Sequence, residues 1–120
     1  NITLMGLVGV FVGYGAFRLV LALLPTKVAS VPVAAGFGAL VSVPVAATAF
    51  SVLFAIGGTA DIAAGKVFAA MVGWHTVIGI GEAVITGLVV SAVVASRPDL
   101  VHGARGLAGR RPLLDQEVPA

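Results

Sequence analysis

A 120-residue chain with 59% hydrophobic and 10% charged residues and a mean hydropathy of +1.13 falls far from the roughly 25% charged content of soluble domains, so the bilayer is its solvent. Its basic excess, with a pI near 9.7, is no nucleic-acid footprint, because Arg97, Arg105, Arg110 and Arg111 gather behind the apolar region, as orientation signals do. The absence of cysteine excludes disulfides, thiolate metal sites and cysteine nucleophiles.

Up to Ser96 the only formal charges are Arg18, Lys27, Asp61, Lys66 and Glu82. The chain opens on Asn1 without an initiator methionine or a charged segment before its apolar run. It therefore reads as a C-terminal part of a longer protein rather than as a signal peptide. The first predicted span covers residues 3–24 and is long enough to cross about 30 Å of hydrocarbon; Pro25-Thr26-Lys27 ends it. Gly6, Gly9, Gly13 and Ala16 recur on one face of it, a stripe that lets another helix approach closely. Glycine is common in membrane helices in general, so the stripe indicates a bundle and nothing narrower.

The second predicted span covers residues 31–56. Pro32 is harmless in its first turn, whereas Pro44 removes a hydrogen bond in mid-span and predicts a kink between Ser42 and Thr48. Ser42, Thr48 and Ser51 either satisfy the freed carbonyls or line a polar path. Gly57 to Asp61 form a turn in which Thr59 or Asp61 caps the next helix. The apolar stretch that follows, residues 62–96, is too long for one straight crossing, at about 50 Å. A division at Met71-Val72-Gly73-Trp74-His75 is expected, with residues 62–73 interfacial or re-entrant and residues 75–96 crossing.

Arg97-Pro98-Asp99 stops that crossing, and residues 97–120, which lack an apolar period, read as a flexible tail. The fold class is all-α integral membrane: three transmembrane helices and a short interfacial or re-entrant helix, forming part of a larger bundle within residues 1–96. The positive-inside rule places the tail and Lys27 in the cytosol and Asn1 outside, in the cell's inner (plasma) membrane.

Ionisable groups inside a span cost several kcal/mol and face a bundle interior or a cavity, so His75 and Glu82 are the functional candidates, for transport or for supporting a metal ligand. They share a helical face, with Gly79 and Thr86 completing the stripe, but lie about 10.5 Å apart along the axis, too far to ligate one ion together. Glu82 either locks helices together or acts in substrate passage. Arg18 snorkels to phosphates or pairs with Glu82 across a depth difference of about 10 Å. Gly6, Gly9, Gly13, Gly79 and Gly81 are the helix-packing candidates. No metal ligand, catalytic residue or nucleotide motif is assigned, and Gly79-Ile80-Gly81-Glu82 does not complete a dinucleotide fingerprint.

Three segments carry a resemblance: Met5 to Gly9 followed by Val12-Gly13-Tyr14 and Arg18; Ala70 to Ala83, with its His-x-x-Ile-Gly-x-Gly-Glu core; and Arg97-Pro98-Asp99-Leu100. Over residues 1–101 the chain resembles the C-terminal half of the CbiM/NikM family, the substrate-capture subunits of energy-coupling-factor transporters for cobalt or nickel. The resemblance implies a seven-helix subunit with an external N-terminus, a transmembrane coupling subunit and cytosolic ATPase subunits as partners, beside membrane lipid. It implies that Co2+ or Ni2+ is held by the terminal amine, the histidine after the first methionine and a further histidine, all in an N-terminal half. None of these positions matches this chain, so no tight metal binding by this chain is expected and His75 takes a supporting role. Relatives often carry a carboxylate in the helix aligned with Ala47 to Ile56, where this chain has none.

The leading reading is a non-enzymatic capture component importing Co2+ or Ni2+ for cobalamin synthesis, two ions that imidazole and amine ligands barely separate. The alternative is a truncated or structural helical module whose glycines serve packing alone. A membrane enzyme ranks third, since one acid and one histidine about 10 Å apart make a poor catalytic set.

Overall fold

A computed structural model describes residues 2–108. Every regular element among them is helical: α1 (Ile2–Leu23), α2 (Ser30–Gly57), α3 (Ala64–Ser96), a 3-10 turn (Pro98–Leu100) and α4 (His102–Ala108). The first three are long and apolar enough to cross a membrane. Asn1, Arg110, Arg111 and the end of the expected tail lie outside the described residues.

Local chemistry sets the helix ends. Pro25 forces Leu24 out of the helical region, to φ −85° and ψ 156°, so the Leu24 amide makes the last bond of α1, to Val20 O at 3.0 Å. The link to α2 is closed by Ser30, whose hydroxyl donates to Pro25 O at 2.7 Å. Helix α2 runs unbroken through Pro44. The hydroxyls of Ser42, Thr48 and Ser51 donate to the Ala39, Pro44 and Ala47 carbonyls, all within their own helix. Their donors are thereby used locally, as apolar surroundings require.

Three expectations need correction. The first concerns the helix that was to divide at Met71 to His75. Helix α3 is continuous over 33 residues, because in an apolar medium no water competes for backbone hydrogen bonds and an interior glycine such as Gly73 has little to loosen. The second concerns the cap of α3. Its N-cap is Ala63, with no side-chain bond; Thr59 and Asp61 precede it by too many residues to reach the free amides of the first turn. The third concerns the tail. Residues 102–108 form α4 instead of a flexible segment, with Ala104 fully buried.

Helix α2 is the central element, with α1 and α3 packed on opposite sides of it. Two glycines make this possible. A Cβ at Gly38 would stand 2.7 Å from Gly13 O of α1, and one at Gly36 would stand 2.9 Å from Ala83 O of α3. Gly79 repeats the device from α3, where a Cβ would meet Leu40 O at 2.9 Å. That carbonyl is the one to which Pro44 has no amide hydrogen to give. By contrast, a Cβ at Gly6 or Gly9 would meet only atoms of its own helix, and one at Gly81 would meet nothing.

The best-packed region lies where α1 ends, α2 begins and α3 ends. Val31, Val94 and Ala104 are buried together, surrounded by Phe17, Leu21, Val28, Val90, Val101 and Leu107. A bare Cα at Gly103 lets the Phe17 ring lie against α4, since a Cβ there would come within 2.8 Å of the ring. Outside this packing Arg97 donates to both carboxylate oxygens of Asp99, at 3.0 and 2.8 Å, and Arg105 donates to the Asp99 carbonyl at 2.8 Å. The Arg97 guanidinium holds the Asp99 carboxyl below its usual range.

Candidate functional site: a cavity between three helices

Beyond Gly38 and Gly79 the helices part around a cavity of about 550 Å³. Its walls come from the first turns of α1 (Leu4, Met5, Gly9), the middle and second half of α2 (Ser42, Ala46, Phe50) and one face of α3 (Met71, His75, Ile78, Glu82). Residues Ile2–Gly9 of α1 are wound as a π-helix, a wide form that is rare and recurs near functional sites.

Both ionisable candidates of α3 face this space. The His75 ring is half-buried, with Nδ1 2.7 Å from Met71 O. A carbonyl can only accept, so Nδ1 carries the hydrogen, and in the neutral ring Nε2 is left with its lone pair. The ring is fixed in the way that ligating histidines are, by a backbone acceptor on the far nitrogen. Glu82 lies two turns further along the same face and is exposed within this chain. The only ion pair among the described residues is Arg97 with Asp99, so Glu82 has no cationic partner there.

Arg18 does not reach Glu82. Its guanidinium donates to Tyr14 Oη at 3.1 Å and lies 5.9 Å from the centre of that ring, folded back along α1 and away from the Leu23 end that snorkelling would seek. Of the other stripe members, Gly79 is buried against α2, and Thr86 lies beyond the cavity wall. No three groups of His, Cys, Asp or Glu gather to hold a metal among the described residues. The cavity thus offers an imidazole and, about 10 Å along the helix, a carboxylate.

Sequence reasoning left two lining residues unused, Met5 and Met71. Met71 precedes His75 by four residues and so shares its face, a signal present in the sequence. Met5 approaches from another helix, whose register no local pattern reveals.

Residues 1–100 match the family described as the cobalt uptake substrate-specific transmembrane region, CbiM. The chain belongs to this family. No curated protein and no solved structure matches it. As a CbiM-family member with three apolar helices of crossing length it is a multi-pass membrane protein and a component of cobalt or nickel uptake. The segment that carried the resemblance, Ala70 to Ala83, supplies the α3 wall of the cavity.

Proposed function

We propose that the chain is the membrane substrate-capture part of an ATP-driven energy-coupling-factor importer, with Co2+ as cargo, Ni2+ as the nearest competitor and cobalamin synthesis as the process served. The observation that carries this reading is the convergence of His75 and Glu82 on one membrane cavity in a chain of a cobalt-uptake family. A divalent cation inside a bilayer requires ligands to replace its water and a charge to offset its own. Imidazole suits cobalt and nickel, and a carboxylate supplies the negative charge.

In this reading the ATPases and a transmembrane coupling subunit are separate partners, and an N-terminal half of the same subunit brings the amine and histidine ligands that the family implies. The Arg97 and Arg105 end faces the cytosol across the inner membrane, in keeping with the positive-inside rule.

The test is accumulation of radiolabelled Co2+ and Ni2+ in cells making the chain with the coupling and ATPase subunits, with and without the N-terminal half. Accumulation is expected only with both halves. Glu82→Gln keeps the shape and removes the charge, and should abolish uptake while leaving the assembled complex intact on purification. Unchanged uptake would exclude an essential charge at Glu82, and no uptake by the wild-type assembly would leave the helical-scaffold reading.

A further inference from the structure

The chain has two methionines among its 120 residues, and both line the cavity that holds His75. The ordinary role of methionine is to fill gaps in a core. Met5 does not fit that role, since it is 66% exposed on a helix segment with no buried residue. Met71 precedes His75 by one helical turn, the spacing at which two side chains of one helix meet a common ligand. The Met71 carbonyl also holds the His75 ring through Nδ1, which leaves Nε2 as the free donor atom. Thioether side chains have three rotatable bonds, so Met5 can close on such a donor from across the cavity.

We propose that His75 Nε2 and the thioethers of Met5 and Met71 form a cation site of their own in this chain, suited to soft and borderline metal ions. One nitrogen and two thioethers hold a soft monovalent ion such as Ag+ best, and borderline Co2+ and Ni2+ more weakly. Glu82, about 10 Å along α3, is outside the coordination sphere and balances the charge of an ion in the cavity. The site is a transit station for the cargo rather than a resident metal centre. It deepens the uptake reading and rests on it for the identity of the cargo, while binding alone decides whether the site exists.

The experiment uses the full chain in detergent micelles, carrying 13C-methyl methionine and 15N-histidine, titrated with Ag+ in chloride-free buffer and separately with Co2+. Both methionine methyl resonances and His75 Nε2 should shift together on adding Ag+, and Co2+ should broaden the same signals. His75→Ala should weaken Ag+ binding by more than about tenfold, the lower end of what losing even an orienting partner costs a metal site. The double variant Met5→Leu/Met71→Leu keeps volume and helix preference, and should weaken Ag+ more than Co2+. Signals of Met5, Met71 and His75 that stay still at saturating Ag+, a response confined to exposed His102, or unaltered affinity in the double variant would each overturn the site. Binding with failed cellular uptake would remove the transport reading and leave the site standing; uptake without binding would do the reverse.

Discussion

The two ends of the helix trio are built on opposite principles. Around Val31, Val94 and Ala104 side chains from all four helices are packed together, with Gly103 bare where the Phe17 ring lies. Around His75 the helices part around the cavity and the start of α1 is wound as a π-helix. In a bilayer, association depends on close packing and polar contacts rather than on escape from water. The first end therefore holds the helices together, and the second is free to carry costly polar chemistry.

The largest effect is expected from Gly38→Leu, which drives a side chain into the Gly13 carbonyl. It should cost about 3 kcal/mol, the upper range for overpacking, read as a lower SDS midpoint in mixed-micelle unfolding. Ala104→Leu should undock α4 at about 1–2 kcal/mol, seen as fast amide exchange across residues 102–108, because so short a helix does not persist unaided. Met5→Ala, at the open end, should change stability by under about 0.5 kcal/mol despite the size of the side chain removed. A large loss there in the same unfolding assay would erase the contrast between the ends. The smallest effect belongs to Asp99→Asn. The Arg97 guanidinium lowers the Asp99 pKa from an ordinary 3.8, so the pair's contribution is complete above that value and fades as pH falls through the lowered one. The variant should match the wild type below that window and fall slightly short of it at neutral pH, and added salt should shrink the difference.

Much of the fold was legible because punctuation and hydropathy coincide. Pro25 and Arg97-Pro98 mark helix ends with backbone chemistry that acts whatever surrounds them. The continuity of α3 was hidden because its length exceeds one straight crossing, Trp74 signals an interface, and Gly73 signals a break by rules learned in water, where exposed amides have somewhere else to bond. Helix α4 was hidden for another reason. Its sequence has weak helical character, and its order comes from Ala104 and Leu107 packing against residues far away in the chain. The packing glycines divide in the same way. The stripe on α1 includes Gly13, which meets Ser42 and Gly38 of α2, while Gly36 and Gly38, which let α2 approach both neighbours, face opposite ways and form no stripe. At the site, His75 and Glu82 were evident as ionisable residues in an apolar run, and their common cavity awaited the facing helices.

The length of α3 has a mechanical consequence. It is one unbroken rod held against α2 at Gly79, and His75 sits about 6 Å beyond that contact at 1.5 Å per residue. A swing of about 5° at that contact carries the imidazole sideways by about 0.5 Å at that radius. Metal–ligand distances tolerate only about 0.2 Å. Whatever grips the Ala64 end of α3 therefore bears on whether the proposed site is closed on an ion or open to it.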